Sequence, residues 1–566
     1  MKTRLAIAAA IAVTAGACRS AGGGAVSAPA PVSPAAPRPS LVVMIAVDQL
    51  RADLLDRYDA VFTGGFRRLR ERGRWFRNAV VDHAVTVSHP GHATIATGMH
   101  PSHHGIVDAA FYEGPPGARV FTDALEDGAE TIVGAAGRPG VSPRRFLAPT
   151  LAEWIQAASG GAGRVVALGS GPYSSLLHAG RAHGDVYWYE RTAARYVTSS
   201  FYRHDDPDWV TAFNTKTLPP LVDAAVVWDN GTPGPLRALA DPDDSIWESD
   251  HKNIVFPHRL ADAVPPGKTI DAPMRGRWFT WTPMLDGATL ALAEAAVAAL
   301  HLGQGSGIDY LGIVPGQIDD LGHTYGPTSQ EQLDNLRRLD LELGQLFDAL
   351  DREVGAGRWV LALSADHGIT DIPEARLARG EKARRVSGAE MNAVLDRVKN
   401  SGAAGDPAAV ARIVKEADFV ADAMTPRDLF EGEARDPFVT LYRHSARPDR
   451  LPRFPLFDLD SGRSPVAEAG VAVRFVEGAM PDVDTAVHGS PYLYDRSVPI
   501  IFMGPGVAPG TTDEPARTVD VAPTLARLAG IAVPADLDGR PLPLTKVAES
   551  PMPKTWIASS RPTGNS

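Results

Sequence analysis

The sequence predicts an α/β fold: a mostly parallel central sheet flanked by helices, with an inserted cap region. Three observations predict it. From residue 40 onward, short apolar runs alternate with longer helical stretches, the pattern that builds a parallel sheet covered on both faces. Several of the runs lead closely into aspartate or histidine. One long irregular block interrupts the alternation before the last apolar run.

The elements follow in chain order. "LVVMIAV" (41–47) is a continuous apolar run short enough to be a buried strand, and it stops at Asp48. "RVVAL" (164–168) is a second such run. "IDYLGIVPG" (308–316) leads into Asp319, and "RWVLALSADHG" (358–368) ends in Asp366 and His367. "VPIIFMG" (498–504) comes late. Helices are expected over 287–301, 329–353 and 520–530. Residues 110–160 and 190–285, rich in Gly, Pro, Trp and Asp, read as long loops with small subelements. Residues 371–487, with helix-like pieces near 388–398 and 407–417, are the expected cap. Open α/β sheets bind ligands beyond the carboxyl ends of their strands, where Asp48, Asp319, Asp366 and His367 fall.

The flanks read differently. "MKTRLAIAAAIAVTAGAC" places Lys2 and Arg4 before a short apolar stretch and small residues, a secretory leader over 1–18. Cys18 is the single cysteine, so no internal disulfide is available. "AGAC" resembles the cleavage box of bacterial lipoproteins, which implies a lipid on Cys18 and a periplasmic or outer-membrane-anchored protein. Residues 19–39 read as a flexible Pro/Ala/Gly linker, 40–545 as the folded domain and 546–566 as a loose tail. A net charge of −11 without a long basic run argues against nucleic-acid binding.

The chemistry lies in a scattered set. Asp48, Asp319 and His323 in "QIDDLGHTYG", Asp366 and His367 in "SADHG", and His488 in "TAVHGSPYLYD" are oxygen and nitrogen donors suited to zinc and similar ions. "TVSHPGHATIATG" (86–98) reads as the start of a helix with Ser88 at its N-terminus and Pro90 tolerated in the first turn. Ser88 there is a helix cap or a nucleophile.

The motif set resembles the alkaline phosphatase superfamily, nearest the nucleotide pyrophosphatase/phosphodiesterases and the phosphate-irrepressible bacterial alkaline phosphatases. It comprises "VDQLRADLL" (47–55), "SHPGHATIATG" (88–98), "PSHHGIVD" (101–108), "DDLGHTYGP" (319–327), "SADHG" (364–368), "HGSPYLYDRSVPIIFMGPG" (488–506) and "DVAPTLARLAGI" (520–531). The resemblance implies an alkaline phosphatase-like fold and two divalent ions, zinc the expected species. One ion would be held by Asp319, His323 and His488, the other by Asp48, Asp366, His367 and the oxygen of Ser88. Ser88 is then the nucleophile, giving a phosphoseryl intermediate. Asp320 is expected to be solvated or to stand behind the ligands, and His92 to pack and hydrogen-bond.

The sequence departs from that family where it grips phosphate. Ala109 stands where an asparagine is usual, and Asp108 beside it cannot donate while ionised. In "VALGSGPYSSLLHAG" (166–180), Gly171 and Tyr173 occupy the places of a Lys-x-Arg pair. Tyr173 and the position of Ala109 are candidate substrate contacts. The lost cations favour diester or pyrophosphate substrates; an alkaline phosphomonoesterase and a non-catalytic phosphate-binding lipoprotein are the alternatives. A sulfatase needs arginine where His92 stands. The expected partner is a small phosphate ester, with membrane contact only through the N-terminal lipid.

Overall fold

Ten strands form the central sheet: β1 (Leu41–Ala46), β2 (Arg74–Phe76), β3 (Ile132–Val133), β4 (Val165–Gly169), β5 (Asp185–Glu190), β6 (Arg195–Ser199), β7 (Asp309–Val314), β8 (Trp359–Ser364), β9 (Ile500–Met503) and β10 (Gly510–Thr512). The computed structural model describes residues 38–545 apart from 250, 251, 266, 404 and 435. The leader, Cys18, nearly all of the linker and the tail lie outside the described residues.

The spatial order is β10-β2-β9-β8-β1-β7-β4-β5-β6-β3. The five central strands, β8-β1-β7-β4-β5, run parallel. β9 and β6 then flank them antiparallel.

Alternation along β1 explains the three layers. Leu41, Val43 and Ile45 pack on one face with residues of α4 (Met284–Leu300) and α6 (Gln330–Leu350), two of the helices taken in chain order below. Val42, Met44 and Ala46 pack on the other face. Each fully buried side chain of this kind contributes about 1.5–3 kcal/mol, and both faces of the strand are used.

The helices are α1 (Ser88–Thr97), α2 (Leu151–Ala158), α3 (Pro172–Ala179), α4, α5 (Gln317–Tyr325), α6, α7 (Gly388–Asn400), α8 (Pro407–Val414) and α9 (Val521–Leu528). Leu151 and Ile155 of α2 and Val521 and Leu525 of α9 cover the second face. α2 begins at a capping box of Thr150 and Glu153, and α6 at Ser329, whose hydroxyl accepts from the Gln332 N–H.

The stretches read as long loops contain more order than expected. Residues 110–160 supply β3 and α2, and residues 190–285 supply β6. Between β8 and β9, α7 and α8 pack with the antiparallel pair Val420–Met424 and Ala472–Phe475 around an apolar cluster of their own. That cluster includes Met391, Leu395, Val410, Val414, Val473 and Phe475. A further strand of this insertion, Arg450–Pro452, pairs antiparallel with Ala110–Glu113.

Candidate active site

Three neighbouring parallel strands deliver the first groups. Asp48 follows β1, Asp319 lies in α5 just beyond β7, and Asp366 and His367 follow β8. Asp286, a buried residue of α4, fixes α5. Its carboxylate accepts from the N–H groups of Gly316 and Gln317, at 2.8 and 3.2 Å.

His367 Nε2 lies 3.2 Å from Asp366 Oδ2 and 3.5 Å from Asp48 Oδ1, all three residues being buried. Asp319 Oδ1 lies 3.4 Å from both His323 Nε2 and His488 Nε2, and the two histidine nitrogens are 3.1 Å apart. The rings of His367 and His488 stack at 3.8 Å, so the two groups adjoin. The six residues named from the sequence therefore converge from segments up to 440 positions apart.

Backbone carbonyls set the imidazoles. His323, His367 and His488 each turn Nδ1 to a carbonyl oxygen, of Ala486, Gly368 and Thr86, at 2.8, 3.0 and 2.8 Å. With Nδ1–H donating, Nε2 carries the lone pair and faces inward, the tautomer a metal ligand needs.

The carboxylates are in poor electrostatic company on their own. Burial, with the charge of Asp319, pushes Asp48 up to about 7. Burial and the neighbouring Asp48 push Asp366 well above the usual carboxylate range. Asp366 Oδ2 is buried without a hydrogen-bond partner. For Asp319, burial acts upward, but the charges and hydrogen bonds of His323 and His488 hold it well below the ordinary value. Like charges crowded around an orphaned oxygen, with imidazole nitrogens aimed at the same space, fit divalent cations.

Ser88 opens α1, with Val87 in the cap position. Its hydroxyl Oγ lies 3.2 Å from His367 Nε2 and 3.4 Å from Asp48 Oδ1. α1 comes so close that a Cβ on Gly91 would lie 2.5 Å from Asp366 O. His92, fully buried, sits 3.5 Å from Asp48 Oδ2 and 3.4 Å from Asp366 Oδ2. Asp320 is half-buried and lines a cavity of about 480 Å3 with Tyr173 and Trp281. Tyr173 donates its hydroxyl to Asp48 Oδ2 at 3.1 Å and stacks on His89 at 5.0 Å. Ala109 brings only its backbone, whose N–H donates to Asp108 Oδ1 at 2.7 Å.

The sequence reading missed Gln49. In a left-handed conformation (φ 65°), its N–H donates to Asp366 Oδ1 at 3.1 Å and its Nε2 to Asp319 Oδ1 at 2.5 Å. It thus bridges the two ligand groups. Gly322 leaves room for it, because a Cβ there would overlap Gln49 Oε1. The signal was the non-glycine residue forced into a turn beside Asp48, which sequence alone does not display.

Comparisons with known proteins identify the family. The model of the family "Type I phosphodiesterase / nucleotide pyrophosphatase" matches residues 42–457. Alkaline phosphatase PafA of Elizabethkingia meningoseptica is 26% identical over 544 residues, covering 90% of this chain and 94% of that one. Alkaline phosphatase PhoK of Sphingomonas sp is 28% identical over 551 residues, covering 90% and 92%. A crystal structure of a quadruple PafA mutant superposes with a TM-score of 0.78 at 26% identity, over 90% of this chain and 99% of that one. The chain is a metal-dependent phosphoric ester hydrolase and belongs to the type I phosphodiesterase / nucleotide pyrophosphatase family.

Proposed function

We propose that this chain hydrolyses phosphate esters with two divalent cations, Ser88 as nucleophile and phosphodiesters as preferred substrates. The observation that carries the reading is Ser88 Oγ set between His367 and Asp48, beside the unpartnered oxygen of Asp366. Asp48, Asp366, His367 and Ser88 would hold one ion; Asp319, His323 and His488 would hold the other. Zinc suits this donor set. Such ions, when bound, offer positive charge to phosphoryl oxygens and lower the pKa of a coordinated hydroxyl.

Ser88 Oγ attacks phosphorus in line. The Oγ–P bond forms as the bond from phosphorus to the leaving oxygen breaks; the Ser88 hydroxyl proton passes to solvent, and the departing alkoxide takes a proton back from it. Water then attacks the phosphorus of the seryl intermediate, which with a diester substrate still carries the second ester group; its oxygen goes to phosphorus, one proton restores the Ser88 hydroxyl, and the phosphate monoester leaves. The free N–H groups of the first turn of α1 favour the negative charge that develops on Oγ and around phosphorus.

Charge decides the substrate class. One cation ~4 Å from a unit negative charge is worth about 4 kcal/mol at an effective dielectric of 20, or about three powers of ten in rate. The places of the Lys-x-Arg pair hold Gly171 and Tyr173, and the tyrosine hydroxyl is engaged by Asp48. A dianionic monoester loses more by that than a monoanionic diester. The solved PafA mutant carries a comparable set of changes: threonine to serine, and asparagine, lysine and arginine to alanine. A second reading, a monoesterase, is favoured by the relatives' names, since both are alkaline phosphatases aligned over most of their length.

The test is zinc-loaded protein assayed on bis(4-nitrophenyl) phosphate and 4-nitrophenyl phosphate. The diester is expected to give the higher kcat/KM. A monoester rate far above it overturns the preference alone, and no turnover of either with zinc bound overturns the enzymatic reading. The leader and Cys18 would place this activity outside the cytoplasm on a lipid anchor, expected in the membrane fraction of the source cell.

A further inference from the structure

The site lacks the phosphate-gripping side chains expected at 109, 171 and 173, yet a cation reaches the same region by another route. The insertion strand Arg450–Pro452 pairs with Ala110–Glu113 in the register Arg450 to Glu113, Leu451 to Tyr112 and Pro452 to Phe111. Arg453 follows this strand directly and reaches Asp108, the neighbour of the missing asparagine's position. The Arg453 N–H donates to Asp108 Oδ2 at 3.1 Å, and the guanidinium Nε lies 3.5 Å from the same oxygen. That buried Nε has no hydrogen-bond partner, and the guanidinium lies over the Phe457 ring at 4.8 Å.

Arg453 opens onto a cleft shared with candidate ligands. It lines a cleft of about 210 Å3 together with Val87, Asp108, His323 and His488, that is, with the residue before the nucleophile and two of the candidate ligands. The charges of Asp108 and Arg453 both act on His89, the residue after Ser88. The cleft thus joins Arg453 to the ligand histidines and to the start of α1.

We propose that Arg453, delivered by the insertion and held by Asp108, binds the nonbridging oxygens of the substrate phosphoryl group, taking over the role that relatives give to Asn and Lys-x-Arg. The inference rests on the hydrolase reading above and sharpens its substrate class. Arginine presents a planar fork matched to phosphate oxygens. Because Asp108 already offsets part of its charge, the pair matches a singly charged diester better than a dianion, while still offering its donors to either. The Asp108 carboxylate, buried beside Ala109, is the element that sets this discrimination.

The experiment uses zinc-loaded full-length protein and two readouts: calorimetric binding of inorganic phosphate, and kcat/KM on the two nitrophenyl esters. Arg453→Ala is expected to weaken phosphate binding and to lower diester kcat/KM, each by roughly ten- to a hundredfold. Arg453→Lys, which keeps the charge and loses the fork, is expected to restore part of both, which a merely structural role would not do. Asp108→Asn frees the guanidinium and is expected to raise the monoester-to-diester ratio about tenfold. Phosphate affinity and diester kcat/KM within about twofold of the parent in Arg453→Ala would overturn the proposal. So would an Arg453→Lys protein no better than the alanine variant. If the parent turns over neither ester, the hydrolase reading fails on its own, and the phosphate titrations still decide the role of Arg453.

Discussion

Ser88 could have been a simple helix cap, and its surroundings argue otherwise. Val87 occupies the cap position, while the Ser88 hydroxyl is turned to His367 and Asp48. A serine hydroxyl needs activation to act at neutral pH, and this one sits among groups that suit a cation. Ser88→Ala is therefore expected to lower ester turnover by at least about three powers of ten. Zinc content by elemental analysis should persist, because the six candidate ligand side chains remain; retained turnover would remove Ser88 as nucleophile. The six converging residues were legible because each is a polar group closing an apolar run or sitting in a short Gly-containing motif. Gln49 and Asp286 were not, since their partners lie far along the chain and their roles depend on backbone N–H groups that no residue pattern reveals. Arg453 was hidden for a related reason: only the pairing of two short strands places it beside Asp108.

At the scale of elements, strands with a continuous aliphatic run were readable, and those rich in aromatic and charged letters were not. β1, β7 and β8 show their burial in the sequence. β5, "DVYWYE", is fully buried as well, yet Asp185 and Glu190 at its ends disguise it. Asp185 is satisfied by Arg203 and Glu190 by the N–H groups of Thr192 and Ala193, so their burial is tolerated. The contact of α1 with the end of β8 is the element pairing on which the site depends. Replacing glycine by alanine inside a helix ordinarily stabilises it by about 0.5–1 kcal/mol. At Gly91 the added methyl would stand 2.5 Å from Asp366 O and 2.7 Å from Asp366 Cβ, so helix and strand end must part. Gly91→Ala is expected to lower both the melting temperature and the affinity for zinc. A melting temperature at or above the parent's, with zinc affinity kept, would show that the two elements are not locked together.

Across the whole molecule, a second histidine–aspartate cluster ties three distant stretches together, 82–100, 444 and 517–538. His100 Nε2 lies 2.8 Å from Asp82 Oδ2, and its Nδ1 3.3 Å from Asp538 Oδ2. His444, from the insertion, stacks on His100 at 3.8 Å, and Arg517 pairs with Asp82 at 3.2 Å. The donor types resemble those of a metal site, yet both ring nitrogens of His100 already face carboxylates and Arg517 supplies a further positive charge. The cluster reads as an ion-pair clamp. Burial alone would lower the pKa of His100, but its hydrogen bonds to Asp538 and Asp82 and their charges outweigh that and raise it to about 9. In the unfolded chain the same group titrates near 6.5. The folded state therefore holds the proton more tightly, and the stability this contributes is complete below about pH 6.5. It declines as pH rises and is gone above about pH 9, where folded and unfolded forms are both neutral at this position. His100→Gln removes the titrating group while keeping a polar side chain of similar reach. Melting temperatures of parent and variant, measured from pH 6 to 10 with zinc bound, should differ most at the acidic end of that range and converge toward pH 10. The subtraction cancels the many other groups that titrate in both proteins. A difference that stayed constant across the range would mean that His100 is held neutral, and that the three stretches are joined by packing rather than by charge.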